Sequence, residues 1–161
     1  RMEEQKKKME AATEGTKVSV TQTADNQLKL NVPSDISFDT GQSTIKPEMH
    51  PVLNSLAKGI ISNPNSQVTI IGYTDDTGND SINNPLSVNR AASTRAYLAS
   101  QGIAINRISI DGRGASEPVV ANTSPENRAK NRRVEIFVKE PQSQQQTQPQ
   151  EQQPYIQKPA Y

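Results

Sequence analysis

The chain has no cysteine, no tryptophan, a single histidine, two phenylalanines and four tyrosines among 161 residues. Without cysteine there are no disulfides, no thiolate metal sites and no cysteine nucleophile, and the redox compartment is left open. The one histidine, His50, stands between Met49 and Pro51 at the start of a helical pattern. A lone histidine there reads as a surface residue rather than a general base. No Gly-x-Ser-x-Gly elbow occurs, and no glycine-rich phosphate loop closes on Lys-Ser or Lys-Thr. Net charge is +1 with a pI near 8.1, so no global field selects nucleic acid or an anionic membrane. No apolar run approaches the ~18 residues of a membrane span. These absences lead to the expectation of a non-enzymatic protein with no cofactor and no metal.

Apolar residues are also scarce, at 32%, and the mean hydropathy is −0.77. The deficit is local. Residues 141–161 hold nine Gln, four Pro and only four hydrophobic residues, and residues 1–17 likewise hold four. The stretch 18–140 is about 35% apolar, enough for a modest core. Three segments follow: a charged helical leader or tether over 1–17, a folded domain over 18–140, and a Gln/Pro-rich tail over 141–161. The tail buries too little to offset the entropy of ordering and is expected to be disordered. The chain opens on Arg1, which points to a processed or truncated product whose signal or anchor would precede it.

Residues 1–14 are good helix formers with Gly15 as a stop, and their few apolar positions predict a solvated helix. Two alternating runs, Val18–Thr21 and Leu28–Val32, flank Asp25-Asn26 and predict a β-hairpin. Ile36-Ser37-Phe38 continues the alternation into a turn at Asp39-Thr40-Gly41. Val52, Leu53, Leu56, Ala57, Ile60 and Ile61 mark one face of a helix over 47–62, its first turn made irregular by Pro47 and Pro51. Val68–Tyr73 reads as a strand buried on both faces. Asn84 then reads as the cap of a second helix, with Pro85 at its first position and Gly102 at its end. Strands at 107–111 and 132–139 complete an α/β fold with a mixed sheet.

Asp75, Asp76 and Asp80 lack calcium-loop spacing and read as a solvated turn. Arg128, Lys130, Arg132 and Arg133 have no aromatic residue among them and read as structural ion pairs or carbonyl donors, not a nucleic-acid patch. The pair Asp75 and Arg90 is more informative. Asp75 follows the buried strand, and Arg90 lies about one and a half turns into the next helix. A strand–loop–helix return can bring carboxylate and guanidinium within a few ångströms, as either a plain salt bridge or a clamp for a zwitterion. Spacing alone leaves both readings open.

The stretch Gly72-Tyr73-Thr74-Asp75-Asp76-Thr77-Gly78, followed by Asn83-x-x-Leu86-Ser87-x-x-Arg90-Ala91, resembles the signature of the outer-membrane protein A C-terminal (OmpA-like) family. Phe38-Asp39-Thr40-Gly41 with Pro47, Tyr97-Leu98 before Gly102-Ile103, Arg107-Ile108, Gly112-x-Gly114-x-x-x-Pro118 and Asn131-Arg132-Arg133-Val134-Glu135-Ile136 match as well, over roughly residues 28–139. The leading hairpin and Asn31-Val32-Pro33 are most similar to the stalked, peptidoglycan-associated lipoprotein branch. The resemblance implies a βαβαβ-type domain that grips peptidoglycan non-covalently. It assigns the diaminopimelate head of the stem peptide to Asp75 and Arg90, and the pocket lining to Asn83, Phe38, Asp39, Thr40, Gly41 and Thr77. Two positions depart from the family pattern: Tyr73 stands where many members carry histidine, and Thr94 where an aliphatic residue is usual. The implied partners are peptidoglycan and, through an anchor before Arg1, the outer membrane, at its periplasmic face in a Gram-negative-type envelope. A homodimer is left open. Two rival readings are a wall anchor in a flagellar stator or secretion machine, and a wall-processing enzyme.

Overall fold

A computed structural model of the protein describes residues 2–140, so the expected disorder of the 141–161 tail lies outside the described residues. The elements run α1 (Met2–Ala12), β1 (Ser19–Gln22), β2 (Gln27–Pro33), α2 (Ser34–Ser37), a 3-10 turn (Pro47–Met49), α3 (His50–Ser62), β3 (Gln67–Tyr73), α4 (Asp80–Ser100), a second 3-10 turn (Ile105–Arg107), β4 (Ile108–Gly112), α5 (Pro125–Asn131) and β5 (Arg133–Lys139). The strands form one sheet in the order β1-β2-β5-β3-β4. Only β3 and β4 are parallel, joined by the α4 crossover; every other pair is antiparallel. This is the expected mixed α/β sheet led by a hairpin. The hairpin turns at Asn26, whose φ of 65° is one that asparagine tolerates.

Strand alternation sets the core. Leu28, Leu30 and Val32 of β2 register with Val138, Ile136 and Val134 of β5, which register in turn with Val68, Ile70 and Gly72 of β3. The apolar members of these rows are buried. Against them α3 lays Val52, Leu53, Leu56, Ala57 and Ile60, and α4 lays Ala91 and Leu98. Each large apolar side chain fully buried contributes roughly 1.5–3 kcal/mol.

Three expectations are corrected. The leader is helical but not a solvated tether: Met2, Gln5 and Met9 share one face of α1 and are buried against α3 and the hairpin side of the domain. Two flexible thioethers suffice for a narrow buried stripe. Gln5 Nε2 fixes the helix by donating to Gly59 O (3.4 Å) and to Glu140 Oε2 (2.9 Å). Ile36-Ser37 is not strand: α2 closes one turn after Pro33, with Phe38 N–H donating to Ser34 O and Ser37 Oγ to Pro33 O. Finally, α4 starts at Asp80, because Asn79 supplies the cap through Oδ1, which accepts from Ile82 N–H at 3.2 Å. Pro85 therefore lies inside the helix, where it withholds only the donor that Ser81 C=O would accept.

Candidate functional site

The site lies beyond the C-terminal end of β3, where α4 returns over the sheet. Two glycines fix the spacing between them. A Cβ on Gly72 would sit 2.2 Å from Ser87 O, and one on Gly112 would sit 2.4 Å from Val88 N. Bare backbone at these positions lets α4 rest directly on β3 and β4. Its buried polar face, Asn83, Ser87, Arg90 and Thr94, is thereby set at a fixed height above the loop after β3. Thr94, buried at a position where the resemblance expects an aliphatic residue, donates Oγ1 to Arg90 O at 2.9 Å. Its hydroxyl is therefore satisfied within the helix.

Asp75 is buried, and both its oxygens are engaged. Oδ1 accepts from Thr77 N–H at 2.8 Å, and Oδ2 accepts from Arg132 Nη1 at 2.5 Å. Arg132 in turn lies across Asp35, with Nε on Oδ1 and Nη2 on Oδ2, each at 2.9 Å. That bidentate grip is the main cause raising the Arg132 guanidinium further above its ordinary value, with Asp75 adding to it. The same contact holds the Asp35 carboxyl below the usual carboxylate range.

Arg90 is buried to 4% exposure and is not bonded to Asp75. Its Nε donates to Gln42 O at 2.8 Å and its Nη2 to Asp39 O at 3.3 Å, so the guanidinium staples the 38–42 loop to α4. The ring of Phe38 lies 4.9 Å beneath it as a cation–π platform. Burial lowers the Arg90 guanidinium; the carboxylates of Asp35 and then Asp75 oppose that, while Arg132 adds to it. Arg90 and Asp75 thus sense each other's charge while holding separate partners. The plain salt bridge between them, one of the two readings that spacing left open, is not formed.

Donor and acceptor capacity follows. An ionised carboxylate offers about four lone-pair positions, and Asp75 uses two. A guanidinium offers about five N–H donors, and Arg90 uses two. Acceptors for an ammonium and donors for a carboxylate therefore remain on neighbouring buried groups. Asp35, Asp75, Arg90 and Arg132 also balance to zero charge, a neutral field suited to a neutral zwitterion.

The sequence matches the OmpA family over residues 37–132. The chain belongs to the OmpA family. It is 39% identical over 135 residues to the probable lipoprotein YiaD of Escherichia coli (strain K12), covering 84% of this chain and 61% of that one. It is 41% identical over 117 residues to the peptidoglycan-binding protein ArfA of Mycobacterium bovis, covering 71% of this chain and 36% of that one. The chain therefore spans less than two thirds of either relative. Among solved structures, a putative MotB-like protein of Desulfovibrio vulgaris superposes with a TM-score of 0.74 at 27% identity, over 86% of this chain and 91% of that one.

The positions that the OmpA-like resemblance picks out separate into distinct roles. Asp75 and Arg90 lie within electrostatic reach of each other, each with unused capacity. Asn83 is buried under the loop, its Nδ2 3.4 Å from Asp75 O and 3.5 Å from Gly78 O, and it shapes the turn that carries Asp75. Phe38 is core, offering only its ring face to Arg90. Asp39 contributes its backbone carbonyl, while its side chain points out to Lys46 at 3.9 Å. Thr40 and Gly41 are exposed at the turn, where Gly41 has a φ of 71°. Thr77 contributes its N–H, with its side chain in the exposed stretch. The basic cluster is structural as expected: Arg128 pairs with Asp76 at 3.6 Å, and Arg133 binds Glu135 and two carbonyls. Arg132 is the exception, since its ion pair places it inside the site.

Asp35, Arg132 and Gln42 are the site residues that the sequence did not mark. Asp35 and Arg132 are 97 positions apart, so no local spacing signals their contact. Only the Asn131-Arg132-Arg133 motif pointed near it.

Proposed function

We propose that this chain binds peptidoglycan non-covalently through the diaminopimelate of the stem peptide, and so tethers the outer membrane to the cell wall. The observation that carries the reading is the unused capacity of the buried neighbours Asp75 and Arg90 within a charge-neutral group of four. The ammonium of the amino-acid head takes the open acceptor positions of Asp75. Its carboxylate takes the open donors of Arg90, whose orientation is fixed in advance by two carbonyls and the Phe38 ring. Membership of the family and the name of the ArfA relative support the choice of polymer. Many identical heads on one mesh give a tethered protein a high local concentration of sites, so modest single-site affinity is enough. The reading has no turnover and places the domain at the periplasmic face of the outer membrane.

Co-sedimentation with purified sacculi tests it. Asp75→Ala and Arg90→Ala are each expected to abolish sedimentation while keeping the parent's circular dichroism. Parent-like sedimentation of both variants would overturn the clamp. Release of muropeptides or glycan fragments during the incubation would replace binding with enzymatic turnover.

A second reading, a wall anchor within a flagellar stator or secretion machine, draws on the likeness to the MotB-like structure. The gene sequence upstream of Arg1 separates the two. A lipidated cysteine after a signal peptide favours the tether, and a single membrane span favours the stator.

A further inference from the structure

Asp35 lies at the rim of the site on the short turn of α2, and nothing in its local sequence marks it as functional. Both its oxygens are occupied by the Nε–Nη2 edge of Arg132 in a parallel fork. With its Nε–Nη2 edge held on Asp35, Arg132 meets Asp75 through Nη1 alone. Asp75 is left with one oxygen on Arg132, the other on Thr77 N–H, and room on both for a further donor. Without the Asp35 carboxylate, the Arg132 fork is free to turn and close on Asp75 with two bonds, occupying the positions a ligand ammonium would use. The same loss changes the summed charge of Asp35, Asp75, Arg90 and Arg132 from zero to +1, which repels an ammonium and attracts a carboxylate.

We propose that Asp35 is a positioning residue that sets the preference of the site for a zwitterion over a simple anion. It acts by restraining Arg132, which would otherwise neutralise Asp75. The inference rests on the peptidoglycan reading above and adds to it the device that keeps Asp75 available to an ammonium in the free protein.

The test is calorimetric titration of the parent, Asp35→Asn and Asp35→Glu with two ligands, diaminopimelate and pimelate. The second has the same carbon chain and both carboxylates but no ammonium. The parent is expected to prefer diaminopimelate. Asp35→Asn is expected to lose about tenfold or more for diaminopimelate while holding or gaining affinity for pimelate, so that the preference collapses. Asp35→Glu, which restores the carboxylate, is expected to recover most of the preference. A general packing defect would weaken both ligands together and leave their ratio in place. If the parent prefers diaminopimelate and Asp35→Asn keeps that ratio, the role of Asp35 is overturned and the peptidoglycan reading stands. If the parent shows no preference for diaminopimelate, both fall.

Discussion

Replacing Gly72 by alanine tests whether the spacing of α4 from the sheet is what positions Arg90. The added Cβ would lie 2.2 Å from Ser87 O and 3.0 Å from Ser87 C, both backbone atoms that no side-chain rotation can move aside. The helix must retreat by nearly 1 Å to relieve the contact, in an interior packed too densely to absorb it locally. Overpacking of this kind costs typically ~1–3 kcal/mol. For a domain of this size each kcal/mol lowers the melting temperature by roughly 3–6 °C. The shift reaches the site, because Arg90 lies one turn beyond Ser87 and its Nε is 2.8 Å from Gln42 O. A displacement of that size carries the bond past the ~3.2 Å upper end of ordinary N–H···O lengths. Thermal unfolding and sacculus sedimentation are the assays, the second run well below the variant's melting range. Gly59→Ala is the matched control: Gly59 lies inside α3, and a Cβ added there would meet nothing within 4 Å. At that position alanine is expected to stabilise by roughly 0.5–1 kcal/mol. If Gly72→Ala melts with the parent and binds sacculi equally well, the spacing argument is wrong.

Two further predictions concern the site's supports. Asn131 is fully buried, accepts from Val119 and Val120 N–H, and donates to Val120 O and Asn122 Oδ1. Asn131→Ala strands these groups and is expected to cost about 1–3 kcal/mol, read as a lower urea midpoint. The Asp35 carboxyl is lowered in the fold, so its contribution is present above the ordinary carboxylate pKa of about 4 and is lost as pH falls through the depressed folded value. Because the side chain is half exposed, the stability gap between the parent and Asp35→Asn should be under about 1 kcal/mol at pH 7 and should close once the pH has fallen through the depressed folded value. A gap that persists or widens in acid removes the charge from the explanation.

Much of the fold is legible in the sequence because β2 alternates strictly and β3 is a short, nearly continuous apolar run. The β2, β3 and β5 rows that meet in register take every second residue of their strands. Boundaries set by single side-chain bonds are less so. Asn84-Pro85 has the pattern of a helix start, yet Asn79 is equally good at capping and stands five residues earlier, beside Gly78. Ile36-Ser37-Phe38 is too short for its period to decide between strand and turn, and Pro33 had already ended the strand. The leader carries only two methionines, too weak a stripe to reveal that α3 and the hairpin would cover it. At the site, Asp75 and Arg90 stand out because both belong to one strand–loop–helix unit. Arg132 and Asp35 join them only through the pairing of β2 with β5, a long-range contact that no window along the chain contains.

The strand register also decides how the domain would carry a mechanical load. Pro33, Tyr73 and Arg133 lie at the site end of the sheet, whereas Gln27, Gln67 and Lys139 lie at the other. Gln5 of α1 is hydrogen-bonded to Glu140 just beyond that second end. The two ends are separated by about 20 Å, the rise of a seven-residue strand. A ligand pulling on Asp75 and a restraint acting near Gln5 and Glu140 would therefore stretch the molecule along its strands. β5, bonded over seven register pairs on each side, would then be strained in shear, with its hydrogen bonds resisting together instead of parting one at a time.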